Sequence, residues 1–245
     1  MHWYKADLHI HSVLSPCGSL EMGPRAVLST AKQKNIDLLA ITDHNSAANL
    51  PAFAALATEY EIVLIPGLEV QSAEEIHTLV FFHDMKSCQA FSRELYDSLL
   101  PVKNEPDFFG DQVVIDSEEN ILRYEEKALI NSSRWNFEQL LGKINSAGGF
   151  ALPAHVDAHS YSIISQLGFI PESKDIVALG ITAKCDVNDL YKKIPGLKDF
   201  CLIRNSDAHY LKDIGSGTTE FYLKEPTLHE IILACKQKGD RYIKI

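Results

Sequence analysis

The chain has 245 residues, 46% of them apolar and 23% charged, the balance of a globular protein able to bury a sizeable core. Thirty-three acidic residues against 23 basic ones leave a formal charge of −10, which argues against duplex nucleic acid as a partner, because backbone phosphates are held by a basic face. Five scattered cysteines with no CxxC pair argue against a disulfide framework or a zinc ribbon. With no signal-peptide stretch and no run of transmembrane length, a cytoplasmic protein without a membrane partner is expected.

Short apolar runs rich in Ile, Val and Leu alternate with helical patterns along the chain, the arrangement of a parallel sheet covered by helices. A first strand is expected over residues 6–10. A helix follows, opened by Pro24 and carried by Val27, Leu28 and Ala31. Strands are expected over 36–42, 62–70 and 77–82, with helices over 53–60 and 91–100. Residues 101–129 break the rhythm. They are polar and acidic, and Val113, Val114 and Ile115 can pair with Ile121 and Leu122 across an Asp116–Asn120 turn, so this stretch reads as an insertion over one end of the domain. A helix over 137–147 and strands over 150–155, 176–182 and 200–205 come next. The last helix, over 228–238, ends at Gly239. The whole chain, 1–245, reads as one domain.

The chemistry lies in where histidines and acids fall. DLHIH closes the first run; residues two apart on a strand share a face, so His9 and His11 point the same way. His44 closes the second run within TDH, Glu69 the third within GLEV, and His77 opens the fourth. His155 follows in PAH, and Asp207 and His209 close the series in SDAH. In barrel enzymes the strand ends converge on the active site, and neutral imidazoles with carboxylates are what zinc, iron or manganese require. Asp43, beside His44, either orients a ligand imidazole or caps the following turn.

The stretches DLHIHS, ITDHNS, GLEV, EEIHTLVFF, LPAHVD and NSDAHY, in this order from Asp7 to Tyr210, resemble the PHP family, the polymerase and histidinol phosphatase superfamily of metal-dependent phosphoesterases. The resemblance implies an α/β fold, a distorted (β/α)7 TIM-like barrel, with two or three divalent metal ions (Zn, Fe or Mn). It implies His9, His11, Glu69 and Asp207 as ligands of one ion, His44 and His209 of a second, and His77 and His155, bridged by Glu69, of a third. Relatives supply an Asp or His to the second ion from the loop after the first strand. Here Cys17 stands near that place, either as a thiolate ligand favouring zinc or iron or as a free thiol.

The expected activity is hydrolysis of a small phosphomonoester (a nucleotide or a sugar phosphate, ahead of histidinol phosphate) or of a short oligonucleotide, through a metal-bridging hydroxide. Glu69, Asp207 and His209 would be catalytic, His209 as a candidate proton donor. Arg134, Arg204 and His159 are candidate substrate contacts, with Arg25 and Lys184 behind them. Two alternatives stand beside this reading. An amidohydrolase-type enzyme would also open with HxH but often carries a bridging lysine, which no comparable strand end here offers. A metal-binding module without catalysis is the other.

Overall fold

The apolar runs singled out above become strands in the computed structural model, which describes residues 1–245, and most are buried, Ile121 and Leu122 of the insertion being exposed. The chain runs β1 (His2–Ile10), α1 (Pro24–Gln33), β2 (Leu38–Ile41), α2 (Leu50–Ala57), β3 (Val63–Leu64), β4 (Gly67–Gln71), β5 (His77–Phe81) and α3 (Met85–Ser98). It continues through α4 (Pro106–Phe109), β6 (Val113–Ile115), β7 (Ile121–Tyr124), α5 (Phe137–Ser146), β8 (Phe150–Pro153), α6 (Ile163–Leu167) and β9 (Ala178–Ile181). The last elements are α7 (Val187–Lys193), β10 (Cys201–Arg204), β11 (Thr219–Leu223), α8 (Leu228–Cys235) and β12 (Tyr242–Lys244). No helix is long and apolar enough to cross a membrane.

The fold is mixed α/β, with its ladders in four sheets ordered β12-β11-β1-β2-β3, β4-β5-β8, β10-β9 and β6-β7. Short bridges join three of these sheets at one pole. His44 pairs in parallel with Glu69, and Ile10 with Ala208, while the amide of Val156 donates to Gly180 O at 2.8 Å. The expected all-parallel arrangement needs correction at β5, which runs antiparallel to both β4 and β8. The reversal is what brings His77 to the right place. As the first residue of a reversed strand, it sits opposite Gln71 at the end of β4. The single strand expected over 62–70 is also split in two, with Pro66, which cannot donate to a ladder, lying in the gap.

One cluster of 18 buried residues, including Leu8, Leu38, Leu79, Phe81, Leu152 and Ile203, occupies one face of successive strands. A larger cluster of 44 fills the space between the other strand face and the helices, joining Leu39, Ile41, Val70 and Val80 to Leu28, Phe53, Phe91 and Leu140. The insertion forms the expected hairpin, with Val113 opposite Tyr124. It is anchored onto the strand-end loops: Val113 N donates to Val13 O at 3.1 Å, and Asn49 Nδ2 donates to Val113 O at 3.0 Å.

Candidate metal centre

Strand register delivers the first two imidazoles. The pairing of β1 with β2 slips between Asp7 and Ile10. Leu8 packs in the smaller cluster and Ile10 in the larger, so the in–out alternation breaks between them. His9 and His11 end up side by side, with Nε2 atoms 3.1 Å apart. Asp7 anchors the facing loop: its carboxylate accepts from Ser206 N at 3.1 Å and Gly215 N at 2.9 Å. Burial pushes this carboxyl up to about 6 against those bonds. The loop so held carries Asp207.

Glu69, 1% exposed, is the hub. Five imidazole nitrogens face its two oxygens: His9 Nε2 at 3.3 Å, His11 Nε2 at 3.5 Å, His44 Nδ1 at 3.1 Å, His77 Nδ1 at 3.1 Å and His155 Nε2 at 3.5 Å. Asp207 Oδ1 lies 3.2 Å from His9 Nε2 and 3.3 Å from His11 Nε2. Yet both oxygens of Glu69, and Nδ1 of His44, have no hydrogen-bond partner, although buried polar groups are nearly always satisfied. The spacing suits another occupant. Two ligand atoms each 2.0–2.1 Å from a tetrahedral ion lie about 3.3 Å from one another.

For His11 and His77 the outer nitrogens show why these contacts are not hydrogen bonds. Ser15 Oγ donates to Asp43 Oδ1 at 2.7 Å, so towards His11 Nδ1, 2.9 Å away, it can only accept. His11 therefore carries its proton on Nδ1. Burial holds this imidazole well below its usual pKa and hence neutral, and a bare Nε2 faces two carboxylates. His77 repeats the pattern: Nε2 meets the Gln71 carbonyl oxygen at 3.0 Å, which leaves a bare Nδ1 towards Glu69. Burial lowers its pKa too. His209 Nδ1 donates to Asp207 O at 2.9 Å, leaving Nε2 for the group it forms with Cys17, His11 and His44, whose ligand atoms all lie within 4.8 Å of one another. Lone pairs aimed at anions repel unless a cation stands between them. The donor set fits divalent metal ions on this ground.

The charges agree. Burial pushes Glu69 up, but the surrounding imidazoles outweigh it and hold the carboxyl well below its usual range. Asp207 is depressed in the same way by His9 and His11, against burial. Burial raises the exposed Cys17 less than His209 and His44 lower it, and its thiol comes down to about 7. Burial lowers His209, but Cys17 and Asp207 carry it up to about 9. Two centre residues also hold φ in the left-handed region, His155 at 31° and Asp207 at 52°, a conformation that non-glycine residues adopt only when their surroundings enforce it.

A cavity of about 280 Å³ opens over the cluster, lined by Cys17, His44, Glu69, Gln71, His77, His155, Asp207 and His209, with Ile130, Ala158, Ser160, Tyr161 and Thr182 on its wall. The three expected substrate contacts are elsewhere. Arg134 is exposed, with its backbone tied to Ser98, and His159 lines a neighbouring cavity with Lys184. Arg204 is committed to structure. Its guanidinium donates to Thr182 O, Ala183 O and Cys185 O at 3.0, 3.0 and 3.1 Å, pinning the loop after β9. Arg204→Ala should therefore cost roughly 1–3 kcal/mol of stability, read as a lowered urea midpoint, while kcat/KM changes less than for any residue lining the cavity. A kcat/KM collapse at unchanged stability would return Arg204 to the substrate.

Asp43 does orient an imidazole, at one remove. It accepts from Ser12 N at 2.7 Å, Ser12 Oγ at 2.6 Å and Ser15 Oγ, and Ser15 then fixes His11. Gln71, Ser15 and Tyr161 escaped sequence reasoning. Only Gln71 had a signal, lying two residues from Glu69 on the same strand face.

An alignment 79 positions long, covering 29% of the chain, is 37% identical to an uncharacterised protein of Methanocaldococcus jannaschii and covers 46% of that protein's length. Endonuclease Q of Pyrococcus furiosus, a lesion-specific endonuclease, superposes with a TM-score of 0.75 at 20% identity, over 99% of this chain but 58% of its own. A second endonuclease Q structure, holding a 27-mer duplex with an abasic lesion at the active site, gives 0.74 at 19% identity, over 98% of this chain and 58% of that one. A protein of Bifidobacterium adolescentis assigned as a metal-dependent phosphoesterase gives 0.56 at 16% identity, over 83% of this chain and 87% of that one. The chain thus spans less than two thirds of the endonucleases it superposes on, and these likenesses speak to fold. The PHP domain family model matches residues 7–178, across all but the last two ligand candidates, and the chain belongs to the PHP domain family.

Proposed function

We propose that this protein is a metal-dependent phosphoesterase that hydrolyses a phosphate ester at the cavity over Glu69. The observation that carries this reading is the outward tethering of His11 and His77, which aims their bare nitrogens at Glu69 and Asp207. The fold reads as a distorted seven-stranded barrel, β1-β2-β4-β5-β8-β9-β10, supported by the bridges that link the separate sheets at the metal pole.

His9, His11, Glu69 and Asp207 would hold one ion, and His44, His209 and Cys17 a second. His77 and His155 would hold a third with Glu69. Cys17 as a thiolate favours zinc or iron over manganese. Bound there, two or three divalent ions would supply Lewis acidity to a phosphoryl oxygen. The protein's own part is placement. Asp43 and Ser15 fix His11, Gln71 fixes His77, and the Asp207 backbone fixes His209. With its Nδ1 proton committed to the Asp207 carbonyl and Nε2 placed where it would hold an ion, His209 would have no proton free for the leaving oxygen, which would take one from water entering the open cavity.

The substrate is a small phosphomonoester or a nucleotide within a strand. Duplex nucleic acid, set aside on net charge, returns as a candidate, since an ion cluster supplies local positive charge that a residue count omits. An amidohydrolase-type centre is disfavoured because no lysine lines the cavity. The test is metal content by elemental analysis together with phosphate release from nucleoside monophosphates, sugar phosphates, histidinol phosphate and an abasic duplex. His9→Ala and Asp207→Asn should each lower metal content and turnover. Turnover that survives both changes in a folded chain rules the centre out.

A further inference from the structure

One aromatic side chain on the cavity wall has no part in holding metal. The ring of Tyr161 lies 4.7 Å from that of His77, with the planes within 18° of parallel. Its backbone is fixed by design of the loop rather than by burial. Tyr161 O accepts from His77 N at 2.8 Å, and φ is 56°, an unusual value for a bulky residue. On one side Ser162 closes a capping box with Ser165, and its hydroxyl donates to Ala158 O at 2.9 Å. Despite this fixed placement the residue is 42% exposed, and it shares the cavity wall with Ile130 and Ala158 beside Glu69 and His155. A placed aromatic ring that backs onto the His77 imidazole and is partly open presents a flat apolar surface on the wall of the cavity over Glu69.

We propose that Tyr161 determines specificity by stacking on a planar base, so that the favoured phosphoester is that of a nucleotide, free or carried on a strand, rather than that of a sugar. Bases stack on aromatic side chains irrespective of sequence, whereas a sugar phosphate offers no planar face. The small cavity, about 280 Å³, is at the low end for a ligand pocket and suits one nucleotide. This inference rests on the phosphoesterase reading for its catalytic consequence but not for its binding consequence.

The experiment uses the metal-loaded full chain with adenosine 5′-monophosphate and ribose 5-phosphate as probes. Binding is measured by calorimetry, kcat/KM by phosphate release, and metal content alongside, for the wild type, Tyr161→Phe and Tyr161→Ala. The wild type should favour the nucleotide, and Tyr161→Phe should keep that preference. Tyr161→Ala should weaken nucleotide binding by about tenfold or more, chiefly in KM, leaving ribose 5-phosphate and metal content nearly unchanged. An equal loss on both probes with loss of metal would make Tyr161 a mere support for His77 and overturn the proposal, as would a wild type that binds both probes alike. If no phosphate is released from either probe but nucleotide binding still depends on Tyr161, the phosphoesterase reading falls and this inference stands.

Discussion

Glu69→Gln should empty the metal centre while leaving the chain folded. Glutamine matches the shape of glutamate, so the packing around β4 survives, but it brings no charge and turns one acceptor into an N–H donor. That donor meets the bare Nδ1 of His77 at 3.1 Å, while His44 at 3.1 Å and His9 at 3.3 Å lose the carboxylate they face. The amide would satisfy by hydrogen bonding what a cation satisfies in the native chain. Losing a partner that only orients a ligand costs about 10–100-fold in metal affinity or activity, and Glu69 faces all three ligand groups, so turnover should fall by more than about 100-fold. Elemental analysis should show loss of most bound metal. A second expectation separates this from simple damage. In the presence of chelator the variant should melt above the wild type, because it removes a buried carboxylate that has no hydrogen-bond partner without metal. Full metal content in Glu69→Gln would show that the ions, if any, are held without this carboxylate.

The ligand candidates were legible in the sequence because metal chemistry leaves few substitutes for histidine and carboxylate, and because strand ends repeat. How they meet was less legible. The spacing of His9 and His11 promised a shared face, but the break that turns Leu8 and Ile10 into different clusters depends on pairing with β2, which a local reading cannot see. His77 opens its strand where His11, His44 and His155 follow the ends of theirs, and only the reversal of β5 resolves this. The strands β11 and β12 went unread. Their inward side chains, such as Phe221 and Ile243, alternate with the half-buried Tyr222 and the exposed Tyr242, which blurs the apolar run. Arg204 illustrates the opposite error: a cation near a strand end invites a phosphate, yet three backbone carbonyls of the preceding loop claim it.

Stripping the metal should lower the melting temperature on the order of 10 °C, and zinc should restore it. A ligand present at 1,000 times its Kd stabilises the folded chain by about 4 kcal/mol, and 1 kcal/mol moves the midpoint of a domain this size by about 2–4 °C. The structure supplies the reason that the unloaded chain is weak. Buried oxygens of Glu69 and nitrogens of His44 and His155 lack partners, and His155 and Asp207 hold left-handed backbone that the bound ions would help to fix. Loading should also depend on pH in a defined direction. His209, carried up to about 9, is protonated at pH 8 and must shed that proton to bind, whereas Cys17, at about 7, is already mostly thiolate. Metal affinity should therefore climb as pH rises towards 9, and calorimetry at pH 8 in buffers of different ionisation enthalpy should register proton release. Cys17→Ser should reduce the affinity for zinc more than that for manganese, since sulfur is the softer ligand. A melting temperature indifferent to chelator would mean that His9 and His44, whose imidazoles burial lowers but Glu69 and, for His9, Asp207 carry up, neutralise the buried carboxylates as imidazolium with no ion between them.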